Sequence, residues 1–261
     1  MNRRLTGLAL GAALLLAGGA LAQQTAAPKG YLAPAAWPDA VALLPPPPAR
    51  GSSQEAGDQA VFKATRPLKG SARWALAQAD VSSQPAAMLK NFSCAAGTDL
   101  SPQANPRLTA LLGRVGTDLN RQVSSVKAVF KRPRPYLIDD GPICVAKSVE
   151  LAASPDYPSG HATWGWGVGL ILAELAPDRA GPILSRARAY GESRVVCGVH
   201  SPSAVAAGQV NAAMMLAALH GDAQFRADLE AARTELATVR KAGAAPDACG
   251  LEARLTAKAP Y

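Results

Sequence analysis

The sequence predicts an all-α fold, a single-domain helical bundle. Three observations carry this. From Gln59 onward, alanine-rich segments place apolar residues at helical spacing. Strand signals are nearly absent. Turn signals such as Ser101-Pro102 and Asn105-Pro106 fall between the helical stretches.

The first element is a secretory signal. Arg3 and Arg4 form a positive n-region, Leu5 to Leu16 is a short apolar run, and Ala20-Leu21-Ala22 is a small-x-small cleavage site. Residues 1–22 therefore read as a signal peptide, with the mature chain starting at Gln23. The run is too short to favour an uncleaved anchor helix. Export implies a periplasmic or secreted protein in an oxidising compartment, where the four cysteines are expected to form two disulfides.

Residues 23–57 are a Pro/Ala-rich leader with a proline run from Pro45 to Pro48. It reads as an extended or weakly ordered tether or surface wrap rather than a peptide-docking polyproline ligand. The helical domain covers 58–242, a length that suits one domain with a sizeable core. Helices are expected near 59–66, 70–80 and 84–91. A long helix runs from about Pro106 to Phe130, with Leu108, Leu111, Leu112, Val115, Leu119, Val123 and Val126 on one face. Pro133 and Pro135 stop it. Residues 136–158 form a long loop with little periodicity, a length often associated with function. Helices follow at about 160–175, 178–192, 202–219 and 222–240, then a tail at 243–261. The apolar stretches Ala162 to Leu175 and Ala204 to Leu219 contain Glu174, and Gln209 with Asn211, so both read as core helices and no membrane span is expected.

Removing Arg3 and Arg4 lowers the formal charge from +8 to +6. No Lys/Arg block with the interleaved aromatics common in nucleic-acid binders is present, and the densest basic segment, Lys127 to Arg134, can be joined by Arg194 and two histidines, so a nucleic-acid partner is not expected. Neither zinc-type Cys/His spacing nor an acidic cluster for two metals is present, so neither metal nor cofactor is expected. The basic segment reads instead as part of an anion site. Lys127 lies at the end of the long helix, and Arg134-Pro135 follows. Pro158-Ser159-Gly160-His161 precedes an apolar helical run, placing Ser159 and Gly160 at a helix N-terminus that favours anions. Ser193-Arg194 is followed by His200, and Ser201-Pro202 forms a good N-cap and N1 pair for another helix. Phosphoryl transfer needs cations for the equatorial oxygens, a nucleophile in line and an acid for the departing oxygen. Lys127, Arg134 and Arg194 supply the first, and the two histidines supply the others. His220 has no evident partner and reads as a surface or helix-end residue.

Lys127-x6-Arg134-Pro135, Pro158-Ser159-Gly160-His161 and Ser193-Arg194-x5-His200 resemble the three signature motifs of the type 2 phosphatidic acid phosphatase superfamily, which includes vanadium haloperoxidases. Within it the chain looks most like the secreted bacterial class A non-specific acid phosphatases, from about Asp58 to Arg240. Tyr157, Val195-Val196-Cys197-Gly198, Phe92-Ser93 and Gly97 add to the likeness. The resemblance implies that His200 is the nucleophile and forms a phosphohistidine. It implies that His161 is the general acid and then the base, and that Lys127, Arg134, Ser159, Gly160 and Arg194 hold the phosphoryl oxygens. The implied activity is metal-independent hydrolysis of small phosphomonoesters; a homo-oligomer stays open.

One position departs from the pattern. The family motif continues to an aspartate four residues after its last histidine, and this chain has Ala204. That carboxylate holds the imidazole tautomer and stabilises its charge. Its loss predicts slow turnover, with Ser203, a backbone carbonyl or water as stand-in, and predicts that Ala204→Asp raises the rate. It also motivates an alternative, a weakened phospho-ligand-binding relative; a vanadium haloperoxidase is a further alternative. Ser201 also replaces the family's usual tryptophan-like residue. Of three disulfide connectivities, Cys144–Cys197 with Cys94–Cys249 is expected, because Cys197 lies between Arg194 and His200 and Cys144 lies in the loop after Arg134.

Overall fold

The computed structural model describes residues 28–242, 246 and 249–261. The expected signal peptide, the mature start at Gln23 and the leader as far as residue 27 lie outside the described residues. All regular structure among the described residues is helical. Eleven α-helices follow in order: α1 Ala40–Leu43, α2 Ser53–Thr65, α3 Ala72–Ala79, α4 Pro85–Ala96, α5 Pro106–Phe130, α6 Val149–Ala153, α7 Gly160–Leu175, α8 Ala180–Val196, α9 Pro202–Leu219, α10 Ala223–Ala242 and α11 Cys249–Ala257.

Local sequence explains the boundaries. Ser52, Ser71, Ser148, Ser159 and Ser201 cap α2, α3, α6, α7 and α9, each accepting a backbone N–H from the first turn. Proline opens α4, α5 and α9, where no N–H is needed. Lys131, in left-handed conformation at φ 49°, ends α5 before the Pro133-Arg134-Pro135 segment can extend it.

α7 lies at the centre, packed against both α8 and α9. Its buried side chains Val168, Ile171 and Leu172 join Phe92, Leu108, Leu112, Leu119, Tyr190 and Met215 in one core. Full burial of each such side chain stabilises the fold by roughly 1.5–3 kcal/mol before conformational entropy is counted. α9 is long and apolar enough to pass as a membrane span, but it is a core helix, burying Val205, Ala212, Met215 and Leu219. It approaches the start of α7 closely at Gly208, where a Cβ would sit 2.6 Å from the Ser159 carbonyl oxygen.

Two segments have more structure than their composition suggests. The leader wraps the bundle: Ala40 and Leu44 are buried, Gln122 donates to the Pro38 carbonyl at 3.0 Å, and the Tyr157 hydroxyl donates to the Pro45 carbonyl. The C-terminal tail contains α11, joined to α4 by a Cys94–Cys249 disulfide. Glu252 of α11 lies 3.6 Å from Arg186. The long loop 136–158 includes the short helix α6 and is joined to the end of α8 by Cys144–Cys197. Both cysteine pairs are the expected ones.

Candidate active site

Seven pieces of chain line one cavity of about 600 Å³. They are α5 from Leu112 to Lys127, Arg134, Ser154, the start of α7, His200, the Ser83–Pro85 turn that opens α4, and Pro28 of the leader. Backbone bonds fix their arrangement. Asp156 N–H donates to the Arg132 carbonyl at 2.8 Å, and Ser159 N–H donates to the Ala204 carbonyl at 2.9 Å. The Cys144–Cys197 bridge is reinforced by Cys144 N–H donating to the Cys197 carbonyl at 3.0 Å.

Of the residues expected from sequence, Lys127, Arg134, Gly160, His161 and His200 line the cavity together. Ser159 and Arg194 are buried behind that wall. Ser159 Oγ accepts from Ala162 N–H at 3.3 Å and so serves as the α7 cap. The Arg194 guanidinium leaves Nε and Nη1 with no protein partner although both are buried. Unpaired buried donors on a cation are costly, and an anion is the group that satisfies them. His220 lies at the end of α9, 3.2 Å from Glu174 and away from the cavity.

The surroundings of His200 fix its tautomer. Nε2 lies 3.1 Å from Arg134 Nη1, which can only donate, so Nε2 carries the lone pair. Nδ1 therefore carries the hydrogen, and it faces Asp156 Oδ1 at 2.9 Å. The same carboxylate accepts from Ser201 N–H at 3.1 Å and Ser201 Oγ at 2.6 Å, and Arg132 lies 3.4 Å from it. Burial raises the Asp156 carboxyl, but Ser201 and Arg132 oppose that shift. Every group facing it is a donor, which is the setting of an anion. Arg132 is held in turn by Asp58 of α2, at 2.8 Å. A buried chain thus runs Asp58, Arg132, Asp156, with charges alternating, and ends on the neutral His200 ring.

This corrects the expectation drawn from Ala204. The imidazole does have a carboxylate partner; it comes from Asp156, two residues ahead of the second motif, instead of from the third motif. Ser203 is not a stand-in, because its Oγ bonds Asp58 at 2.5 Å and Arg132 at 2.6 Å. Ala204 itself is fully buried in an apolar cluster with Leu44, Val126 and Tyr157. The sequence signal was Asp156, beside the Pro158-Ser159-Gly160-His161 motif, but its partner lies 44 residues away and no local spacing connects them.

His161 lines the cavity, and its Nε2 donates to the Val81 carbonyl at 2.9 Å. That leaves Nδ1 as the ring nitrogen without a protein partner. Its ring stacks on Tyr190 at a centroid distance of 6.3 Å. Burial, then Arg194, holds the His161 imidazole well below its usual range, and burial, then Arg134, does the same to His200. Lys127 donates to the Pro155 carbonyl at 2.6 Å, and burial with Arg134 nearby lowers its ammonium to about 8. Burial is the largest cause of each shift, the neighbouring cations add to it, and a dianion placed among them opposes the cations' share. Among the described residues no group of three or more His, Cys, Asp or Glu side chains is placed to hold a metal ion. The donor set is cationic and suits a phosphate.

The PAP2 superfamily pattern matches residues 108–227, which contain all three motifs. An acid phosphatase of Zymomonas mobilis is 46% identical over 80% of this chain and 80% of its own length. A non-specific acid phosphatase of Providencia stuartii is 33% identical over 78% of this chain and 83% of its own. This chain belongs to the PAP2 superfamily. A non-specific acid phosphatase of Salmonella typhimurium, 30% identical over 74% of the chain and 78% of its own length, is a further relative. Within the PAP2 superfamily the chain groups with these bacterial acid phosphatases.

Proposed function

We propose that this acid phosphatase is an exported enzyme that hydrolyses small phosphomonoesters through a phosphohistidine on His200, without a metal ion. The observation that carries the reading is the state of His200: a lone pair on Nε2 facing Arg134, with Lys127 and Arg194 also close enough to act on the ring, and a hydrogen on Nδ1 held by a buried carboxylate.

The substrate phosphate takes Lys127, Arg134, Arg194 and the N-terminus of α7 as its partners. Arg134 transfers its Nη1 hydrogen bond from His200 Nε2 to a phosphoryl oxygen, which frees the lone pair. Nε2 then forms a bond to phosphorus as the ester P–O bond breaks. His161 Nδ1 supplies a proton to the departing oxygen, its protonation favoured by the dianion beside it. Asp156 keeps the Nδ1 hydrogen of His200 in place and balances the positive charge the ring acquires. In the second step His161 takes a proton from water, the water oxygen bonds to phosphorus, the P–N bond breaks and phosphate leaves. The Ala204 argument for a weakened relative loses its basis once Asp156 fills the carboxylate role.

The test is p-nitrophenyl phosphate hydrolysis by the mature protein in excess EDTA, beside His200→Ala. Turnover that survives EDTA, vanishes in His200→Ala and is competed by vanadate is expected. Activity lost in EDTA and restored by a divalent ion would sink the reading, as would equal activity in wild type and variant.

A further inference from the structure

The cavity is longer than a phosphate and a small leaving group require. Its wall follows α5 from Lys127 back to Gly113, and fourteen residues at 1.5 Å each make roughly 21 Å. Lys127 and Arg134 mark the phosphate end. Beyond these cations and the two histidines, no lining side chain among the described residues carries an ionisable group. Trp164, Leu119 and Val123 give the trough apolar surface, and Thr117, Asn120 and Gln84 give it neutral hydrogen-bonding groups.

The far end meets the leader. Pro28 lines the cavity, and its Cγ is 3.4 Å from where a Cβ on Gly113 would sit. This wall is fastened to the bundle. Thr117 Oγ1 donates to the Pro28 carbonyl at 2.9 Å, and Arg114 Nε donates to the Lys29 carbonyl at 3.2 Å. Tyr31 N–H donates to the Asp118 carboxylate at 2.7 Å, and the Tyr31 hydroxyl donates to Asp228 at 2.8 Å. The Arg114 guanidinium lies 3.7 Å from the Tyr31 ring centroid, and Phe225 meets that ring edge-on at 5.4 Å. Gly30 is pressed so close that a Cβ would lie 2.0 Å from Asp118 Oδ1. So many anchors on five residues make a fixed wall.

We propose that the leader segment Pro28–Leu32 is a specificity element at the far end of a trough that takes phosphomonoesters with long, uncharged leaving groups. The inference rests on the phosphatase reading of the cavity and adds the class of substrate. A short ester uses only the cationic end. A long one reaches Pro28 and gains contact there, provided Tyr31 and Arg114 hold the segment in place.

The test is a series of para-substituted aryl phosphates whose uncharged tails lengthen from none to the length of the trough. In wild type, KM should fall with tail length, and the last step should be about fourfold, the effect of burying one more methylene equivalent. Tyr31→Ala should abolish that last step while leaving phenyl phosphate kinetics and vanadate inhibition as they are. Tyr31→Phe, which keeps the ring stack, should retain it. If the single substitution folds poorly, Arg114→Gln provides a second release of the same latch. A KM independent of tail length in wild type would overturn the proposal, and so would a last step that survives both Tyr31→Ala and Arg114→Gln. If wild type turns over no member of the series, the phosphatase reading itself falls, and this inference with it.

Discussion

Replacing Asp156 by asparagine keeps the shape of the side chain and removes its charge. The wild-type carboxylate accepts from His200 Nδ1 at 2.9 Å, Ser201 N at 3.1 Å and Ser201 Oγ at 2.6 Å. An asparagine can still accept from Nδ1–H and Ser201 N–H through Oδ1, but its NH2 then replaces Oδ2 and points at the Ser201 hydroxyl and at Arg132. When His200 Nε2 bonds to phosphorus the ring becomes cationic, and at about 4 Å with an effective dielectric of 20 a carboxylate is worth about 4 kcal/mol to it. That corresponds to roughly 10³-fold in rate, short of the ~10⁴ lost with the analogous aspartate of serine proteases. The expected outcome for Asp156→Asn is therefore a kcat lower by about 10³ with KM changed little, because the cations that bind phosphate are untouched. Steady-state kinetics on p-nitrophenyl phosphate, with circular dichroism to verify folding, measures this. A folded Asp156→Asn enzyme that keeps more than about a tenth of wild-type turnover would refute the reasoning. The same geometry reverses the expectation for Ala204→Asp, which places a second carboxylate in a packed apolar cluster and should lower turnover and stability.

Further outcomes follow from individual residues. Lys127, lowered to about 8, must be charged to hold phosphate. Phosphate affinity should therefore weaken as pH rises past 8, and binding near pH 9 should take up a proton, seen by calorimetry in buffers of different ionisation enthalpy; a pH-independent affinity between 7 and 9.5 would contradict the assignment. Arg194→Met should fold, since it removes a buried cation with two unpaired N–H groups, yet should raise the vanadate inhibition constant at least tenfold. Paired Cys144→Ser and Cys197→Ser substitution opens a loop with a sequence separation of 53, for which chain entropy predicts a loss of about 4 kcal/mol. Thermal unfolding should register it, with a fall in kcat because Cys197 lies between Arg194 and His200.

Much of the fold was legible because its longest elements are strongly periodic. The apolar face of α5 and the prolines at its two ends predicted Pro106–Phe130 as the structure has it. α7 and α9 were legible from the same cues. The leader and α11 were not, because their order comes from tertiary contacts: Tyr31 with Asp228, Gln122 with Pro38, Cys249 with Cys94. The site divides in the same way. Lys127, Arg134, His161 and His200 stand in motifs with fixed spacing. Asp156, Arg132 and Asp58 form their chain across segments far apart in sequence, and only folding joins them. Ala204 misled because absence of a residue at one position says nothing about a carboxylate arriving from another.

The central claim is a covalent phosphohistidine on His200. Rapid mixing with ³²P-labelled aryl phosphate, quenching in alkali where a phosphoramidate survives, and peptide mapping would test it directly. The account predicts transient label on the peptide containing His200 and on no other, formed at least as fast as kcat and absent in His200→Ala. Turnover without any trapped label, or label on a different residue, would contradict it.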